Sequence, residues 1–287
     1  MPEGHTVHRL ADAFTAQFVG HMVRASSPQG RFTAGAEILD GHRLIRAEAY
    51  GKQMFLLFDH DVWLRVHLGL YGMWRFDGPG LGGIGRFTRG EEPEDEEGRP
   101  IPRGVVRLRL ATETHIGDLS GPTFCGIETP EEKAVSTAAI GPDPLRPGAR
   151  PGRAWDVISA SKMSIGQLLM RQDVIGGIGN IYRAELLFRA RIEPHKPGRD
   201  LSRAQFDALW RDTRAMLRDG VRDGAIITTR PKDRPAGVPV LGRRRRDDAR
   251  SYVAFRKGEP CRICGTPVAM EVMAGRKLYW CPTCQVE

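Results

Sequence analysis

The chain has 287 residues, 40% of them hydrophobic, and this length is typical of two domains with separate cores. The sequence contains no run of about 18 apolar residues, so we do not expect a membrane-spanning helix. Its start, MPEGHTVHR, lacks the apolar core and cleavage site of a signal peptide, so we expect a cytoplasmic protein.

The net charge of +8 is distributed unevenly. Residues 1–145 contain 15 basic and 20 acidic side chains, and residues 146–287 contain 28 basic and 15 acidic ones. The first part therefore carries −5 and the second +13. Such an excess indicates an acidic partner, and nucleic acid is the usual one.

The N-terminal part is predicted to contain one helix followed by strands. Apolar side chains recur at helical spacing over residues 4–18. Short strand-like runs, separated by Gly and Asp turns, follow at 54–58, 62–67 and 105–110. The stretch 77–103 is rich in Gly, Pro and acid, including the charge run 91–97, and is typical of a mobile solvated loop.

The C-terminal part is predicted to be helical. Residues 141–152 contain four Pro and three Gly, which indicates a linker. Helical patterns follow at 154–175, 181–190 and 202–219. A basic, Pro-rich segment, 230–250, then leads to a cysteine module.

Four cysteines form two C-x-x-C pairs separated by sixteen residues: Cys261, Cys264, Cys281 and Cys284. This pattern predicts one tetrahedral Zn²⁺, which is structural because four thiolates leave no open coordination position. Redox-active dithiols are the alternative. The fifth cysteine, Cys125, has no partner in the pattern and is predicted to be a core residue.

A glycine-rich turn, GGIGN at 176–180, lies between two predicted helices. Gly177 and Gly179 would let backbone N–H groups approach an anion. Asn180 could cap the second helix, whose N-terminus favours a negative group such as a DNA phosphate. A dinucleotide fingerprint does not fit, because the third glycine is missing and the preceding segment looks helical. An ordinary helix–turn–helix corner remains the alternative.

Four further residues, in three places, carry groups that could take part in catalysis or phosphate binding. Removal of Met1 would leave Pro2 with a secondary amine, a nucleophile able to form an iminium, beside the carboxyl group of Glu3. Lys52, which enters an apolar strand, could bind a phosphate or assist proton transfer. Arg276, at a probable hairpin tip between the cysteine pairs, could grip a phosphate. An ordinary N-terminus, a surface lysine and a polar turn are the alternatives.

Together and in this order, these features resemble the formamidopyrimidine-DNA glycosylase / endonuclease VIII family. The matching segments span nearly the whole chain: PEG at 2–4, GK at 51–52, HLGLYG at 67–72, GPDPL at 141–145, the turn at 176–182 and RKGEPC at 256–261.

The resemblance implies an α+β fold in three parts. Residues 1–140 would form a catalytic domain with an N-terminal helix and a β-sandwich. Residues 141–250 would form a helix–two-turn–helix domain, and residues 251–287 a β-hairpin zinc finger. The implied partner is damaged DNA bound between the domains as a duplex, with single-stranded DNA also open, and the protein would be a monomer.

The resemblance also assigns roles to particular side chains. Pro2 becomes the Schiff-base nucleophile, Glu3 the proton donor and Lys52 the active-site lysine of a bifunctional glycosylase and AP lyase. Asn180 and Arg276 become phosphate ligands, with Gly177 and Gly179 in the adjoining turn. Leu70 and Tyr71 match the side chains that fill the gap left by a flipped base, and a buried strand pair is the alternative for one of them.

The PEG start and the Leu70–Tyr71 pair favour the endonuclease VIII branch, which removes oxidised pyrimidines and nicks the strand by β,δ-elimination. Thr6 replaces an acid of typical members, and Gly69 replaces a Gln before the wedge. The segment 118–122 stands where the 8-oxoguanine-directed branch has an Arg-Phe loop, which is not visible here.

Two other functions would use the same features. A non-catalytic DNA-binding protein would keep the helix–turn–helix and the zinc finger, but it would not need the Pro2–Glu3 pair. A zinc-dependent hydrolase would need an open metal position, which four cysteines do not leave.

Overall fold

The computed structural model describes residues 2–80, 101–102, 104–241 and 249–286. The chain forms two compact units, Met1–Ala139 and Ile140–Glu287. The charge run predicted at 91–97 lies outside the described residues. Within the described ranges, no helix has the length and apolarity needed to cross a membrane.

The first unit combines helices with antiparallel strands. Its helices are α1 (Gly4–Gln17), α2 (Thr33–Leu39) and α3 (Pro130–Ala138). Its strands are β1 (Met22–Ser26), β2 (His42–Tyr50), β3 (Gln53–Phe58), β4 (Trp63–His67), β5 (Met73–Asp77), β6 (Val106–Ala111), β7 (Ile116–Ser120) and β8 (Phe124–Glu128). The predicted N-terminal helix and the three predicted strands correspond to α1, β3, β4 and β6.

These strands are arranged in the order β5-β7-β6-β1-β2-β3-β4-β8. The first four strands in this order and the last four form two halves of the sheet, which meet where β1 pairs with β2. This pairing is short, because only Met22 with Arg43 and Val23 with His42 are in register. Both halves contribute to one core, in which Phe14 of α1 packs against Trp74 and Phe76 of β5 with ring centroids 4.8 and 5.2 Å apart. The predicted sandwich is therefore built around α1. Cys125 is half-buried against this core.

The second unit is mainly helical and ends in a hairpin. Its helices are α4 (Pro151–Ser159), α5 (Ile165–Leu168), α6 (Asn180–Ala190) and α7 (Arg203–Asp223), and its hairpin strands are β9 (Ala269–Met273) and β10 (Arg276–Trp280). A capping box of Ser202 and Gln205 starts α7, and Gly224 ends it in the left-handed conformation. The predicted helices 181–190 and 202–219 correspond to α6 and α7.

The single helix predicted over 154–175 is wrong. The segment contains α4, a break and the one-turn α5. Serines cause the break, because their side chains bond nearby backbone N–H groups. Ser161 Oγ accepts from Met163 N at 3.1 Å, and Ser164 Oγ accepts from Gln167 N at 3.3 Å to cap α5.

The start of the predicted linker 141–152 is packed against the helical unit. Gly141 N donates to Gln172 O at 2.8 Å, and Gly176 N donates to Pro142 O at 3.1 Å. A Cβ on Gly141 would lie 2.5 Å from the carbonyl carbon of Val174. Gly141 therefore allows a close backbone approach that positions the glycine-rich turn.

Candidate functional site

Pro2 and Glu3 lie immediately before α1. Glu3 is the N-cap residue, and its carbonyl accepts from Thr6 N at 2.9 Å, so the helix start fixes its backbone. The Glu3 side chain is fully buried, whereas Pro2 is half-buried. The positive end of the helix dipole favours a carboxylate there. A buried acid thus adjoins the residue predicted to be the nucleophile.

The sequence analysis did not single out His5, which follows in the first turn of α1. Burial lowers its pKa to about 4, and the positive charges of the amino terminus and Arg9 act in the same direction. The imidazole is therefore neutral at pH 7. An apolar neighbourhood beside a charged chain end favours this state.

Lys52 lies in the two-residue turn that joins β2 to β3. Burial lowers the pKa of His67, and the charges of Lys52 and Arg65 add to this effect, so Lys52 and His67 are electrostatic neighbours. His67 is also in register with Gln53, the residue after Lys52. The predicted lysine therefore lies beside His67, to which the sequence analysis assigned no role.

Helix α1 packs on β2, the strand that ends two residues before Lys52. Beyond the end of α1, Gly20 N donates to Leu44 O at 2.8 Å near the beginning of β2. The 14-residue helix packs along β2 and spans about 21 Å. From Leu44 to Tyr50, β2 spans about 20 Å. Helix and strand have similar lengths, and an antiparallel packing of the two would bring Glu3 toward Lys52.

The predicted wedge residues project from the loop between β4 and β5. Leu70 is 41% exposed and Tyr71 is 80% exposed. Gly72 N donates to Leu68 O at 2.9 Å, which makes the loop a tight turn. A buried strand pair is therefore wrong for these two residues, and their apolar side chains are available to a ligand.

Gly69, which replaces the Gln expected before the wedge, is required by local geometry. Its φ is +65°, and a Cβ there would lie 1.7 Å from Thr123 Oγ1. A side chain at this position meets both backbone strain and a direct clash. The departure from the family pattern is accordingly a property of how this loop packs.

The glycine-rich turn of the second unit is organised by Gln172. Its Nε2 donates to Ile178 O at 2.9 Å, and its Oε1 accepts from Gly177 N at 3.0 Å. The N–H of Gly177 is therefore bonded within the turn. The sequence analysis instead predicts that it faces an anion. Gly177 also has a φ of +96°, which explains a glycine at this position.

Asn180 is the first residue of α6, and Gly179 is the N-cap residue, so the predicted capping role of Asn180 is wrong. The Asn180 side chain is engaged elsewhere. Its Nδ2 donates to Lys277 O of β10 at 2.7 Å, and its Oδ1 accepts from Arg183 Nη2 at 2.5 Å. Arg183 is fully buried and also donates to Lys277 O at 3.2 Å.

Arg276, the residue before Lys277, is exposed. It follows a two-residue turn, Ala274–Gly275, in which both residues have positive φ, +48° and +73°. This is the conformation of a type I′ hairpin turn. The bond from Asn180 to Lys277 therefore brings the two predicted phosphate ligands onto adjoining elements of one unit.

Glu185, a buried acid of α6, was not identified from the sequence. Its carboxylate accepts from Tyr252 N at 2.8 Å, Val253 N at 2.8 Å and Ala254 N at 2.7 Å, and from the Thr228 hydroxyl. It anchors the segment that precedes the zinc finger to the helix that begins with Asn180. An isolated acid in the apolar run AELLF was the available signal.

The four cysteines of the second unit converge. Their Sγ atoms all lie within 4.8 Å of one another, with 3.9 Å between Cys261 and Cys284 and 3.4 Å between Cys264 and Cys281. A tetrahedral zinc with Zn–S bonds of about 2.3 Å separates its sulfur atoms by about 3.8 Å. The cluster fits one structural zinc, and the dithiol alternative is not needed.

Comparison with known proteins yields matches over the whole chain. Residues 1–120 match the formamidopyrimidine-DNA glycosylase N-terminal domain, 140–231 its H2TH domain and 258–286 the zinc finger found in FPG and IleRS. The chain is 44% identical over 285 residues to Endonuclease 8 1 of Mycobacterium tuberculosis, covering 99% of this chain and 100% of the relative. The chain belongs to the formamidopyrimidine-DNA glycosylase / endonuclease VIII family.

A second relative and a solved structure show lower identity to this chain. Formamidopyrimidine-DNA glycosylase of Thermus thermophilus is 30% identical over 294 residues, covering 100% of this chain and 98% of the relative. The crystal structure of that organism's MutM (Fpg) protein has a TM-score of 0.73 at 25% identity, covering 99% of this chain and 98% of that one. The predicted family, fold class and single structural zinc are confirmed.

Proposed function

We propose that this family member is a bifunctional DNA glycosylase and AP lyase of base excision repair that removes oxidised bases, preferentially pyrimidines, through the amine of Pro2. Family membership supports the activity, and the greater identity to an endonuclease 8 than to a formamidopyrimidine-DNA glycosylase supports the pyrimidine preference. The observation that carries the assignment to Pro2 is the fully buried carboxyl group of Glu3 beside it at the start of α1.

The reaction begins once Met1 is removed and the unprotonated Pro2 nitrogen attacks C1′ of the damaged nucleotide. Glu3 donates a proton to the ring oxygen as the sugar opens, and the base leaves. The resulting iminium makes the C2′ proton acidic. Its loss expels the 3′ phosphate by β-elimination, and a second elimination expels the 5′ phosphate. Water then hydrolyses the imine and frees Pro2.

Lys52 has two roles in this proposal. Its ammonium group binds a phosphate next to the lesion and holds the sugar against Pro2. Its positive charge also favours the unprotonated form of a neighbouring amine. The neutral His5 and His67 add no further positive charge to this end of the unit at pH 7.

DNA binding in this proposal uses both units. Asn180 and Arg276 bind phosphates, and Leu70 and Tyr71 replace the stacking lost when the base leaves the duplex. The exposed wedge loop and the bond between Asn180 and Lys277 support these assignments. A structure of a complex between Lactococcus lactis Fpg and abasic-site DNA shares the fold, with a TM-score of 0.75 at 19% identity. We further propose a monomer that prefers duplex DNA and acts at the nucleoid.

The proposed division of labour follows the sequence-based domains. Residues 1–140 carry the chemistry, 141–250 the phosphate-binding turn and 251–287 the hairpin with Arg276. The last two share one core, to which Tyr279 and the buried cysteines contribute. Loss of zinc is therefore expected to weaken DNA binding.

Strand cleavage on a lesion panel tests the activity. We expect nicking of duplexes with oxidised pyrimidines to give a 3′-phosphate end, the product of β,δ-elimination. Pro2→Gly should retain binding to an uncleavable abasic analogue while nicking falls, because the secondary amine that forms the iminium is lost. Equal nicking by this variant, or no nicking of any oxidised lesion, would overturn the proposal.

A further inference from the structure

A cluster of two histidines and one aspartate lies in the first unit, away from the residues assigned to catalysis. It consists of His42, the first residue of β2, and of Asp59 and His60 in the turn between β3 and β4. Their possible ligand atoms all lie within 4.8 Å of one another. We propose that His42, Asp59 and His60 form a second zinc site, distinct from the four-cysteine site.

The distances in the cluster suit a single ion. Asp59 Oδ1 lies 2.8 Å from His42 Nδ1 and 3.6 Å from His60 Nδ1. Ligands about 2.0–2.1 Å from a tetrahedral zinc are separated by about 3.4 Å, which falls between these two values. Small side-chain movements therefore suffice to place an ion among the three.

One ligand is held in place by the backbone. Asp59 N donates to Arg43 O at 3.0 Å, and Arg43 N donates to Asp59 Oδ2 at 3.1 Å. These bonds leave Oδ1 directed at the histidines. Outer partners of this kind orient a ligating carboxylate and reduce the entropy that is lost when a metal binds.

His60 is available to move. Its ring stacks on that of His42 with centroids 3.7 Å apart and 25° between the planes. Imidazole lone pairs lie in the ring plane, so one ring must rotate before both can bind one ion. Neither nitrogen of His60 has a hydrogen-bond partner among the described residues, although both are buried. Rotation therefore breaks no hydrogen bond, and metal binding would satisfy a buried nitrogen.

The donor set selects the class of ion. Imidazole nitrogens suit zinc and its transition-metal neighbours, whereas magnesium and calcium prefer oxygen ligands throughout. The three side chains are partly exposed, so water can complete the coordination shell. This differs from the closed set of four thiolates in the second unit.

The position of the cluster indicates a structural role. His42 begins β2 and Lys52 follows its end, so the cluster and the lysine are separated by nine residues of strand, roughly 26 Å. An ion there cannot touch a nucleotide bound at Lys52. It would instead tie the beginning of β2 to the turn after β3 and stabilise the folded first unit by mass action.

The test measures zinc per chain in untagged, full-length protein that retains its four-cysteine zinc. After dialysis against a range of buffered free Zn²⁺ concentrations, we expect the wild type to reach two zinc ions per chain. His60→Gln and Asp59→Asn should stop at one. Asp61→Asn is the matched control: it removes one negative charge from the same turn, and Asn tolerates the left-handed φ of +60° found there.

Cobalt provides an independent measurement. Co²⁺ is added to protein that holds zinc only at its four cysteines. Binding at the second site should give visible d–d absorption without the thiolate charge-transfer band that substitution at the cysteines would produce. His60→Gln should abolish this d–d absorption. His60→Gln is the decisive variant, because its ring has no hydrogen bond to lose. A wild type that stops at one zinc, or a second zinc that persists in His60→Gln, would overturn the proposal.

Discussion

Asn180 Nδ2 donates to the carbonyl oxygen of Lys277 at 2.7 Å, and this bond joins the first residue of α6 to the strand that carries Arg276. Because the acceptor belongs to the backbone, the link depends on Asn180 but not on the Lys277 side chain. One residue can therefore contact a phosphate and also position the second phosphate ligand.

Asn180→Ala is expected to weaken binding to an uncleavable abasic duplex by about 5–30-fold, because a hydrogen bond near a charged ligand contributes about 1–2 kcal/mol. Fluorescence anisotropy at fixed salt measures this affinity. Lys277→Ala is the control, since it keeps the carbonyl acceptor. It should reduce the slope of log affinity against log salt concentration by about one, without changing the melting temperature. Wild-type affinity in Asn180→Ala would contradict the positioning role.

Gly69→Ala is expected to destabilise the wedge loop by about 2–4 kcal/mol, which combines left-handed strain with a clash against Thr123. Gly30→Ala separates the two effects. Gly30 has a φ of +77°, but a Cβ there would meet nothing within 4 Å, so we expect a loss of only about 1 kcal/mol. Urea unfolding measures both. The clash argument is contradicted if the two variants lose equal stability, or if adding Thr123→Ala to Gly69→Ala restores nothing.

Glu185→Gln is expected to lower the free energy of unfolding by at least about 3 kcal/mol. The carboxylate accepts from three backbone N–H groups and a hydroxyl, and an amide cannot accept from all of them. Asp219→Asn, on the exposed surface of α7, should cost less than about 1 kcal/mol. If urea unfolding gives Glu185→Gln the same free energy of unfolding as Asp219→Asn, Glu185 does not anchor residues 252–254.

His5 is expected to make stability depend on pH between about 4 and 6.5. In this window the unfolded chain binds a proton at His5 and the folded chain does not, so acid favours unfolding. The neutral imidazole's contribution is full above pH 6.5 and falls by up to about 1.4 kcal/mol per pH unit as the pH drops toward 4. His5→Gln should lose less stability over this range than the wild type, and exposed His21→Gln should behave like the wild type. Parallel curves for His5→Gln and wild type would contradict this.

Features with a local cause could be predicted from the sequence. The cysteine spacing predicts the zinc site, and the apolar periodicities predict α1, α6 and α7. Both patterns depend on residues that are close together in the sequence. The break between α4 and α5 was missed, because serine in a sequence is only a weak signal that a helix ends. Ser161 and Ser164 could not be recognised as the residues that bond the backbone there.

Features with a long-range cause could not be predicted. Glu185 bonds residues 67 to 69 positions further along the chain, and Asn180 is engaged by a strand 97 positions away. Nothing near either residue in the sequence indicates such partners. The same holds for Gly69, whose conformation depends on its fit against Thr123.

The central claim, that Pro2 is the nucleophile, is tested most directly by borohydride trapping followed by peptide mass spectrometry. Reduction during turnover of an oxidised-pyrimidine duplex should yield a stable protein–DNA adduct whose sugar remnant is on the Pro2 nitrogen, in chains that have lost Met1. Glu3→Gln should reduce trapping on the damaged base but permit it on a preformed abasic site, where no base needs to leave. An adduct located on Lys52, or no adduct on either substrate, would contradict the assignment.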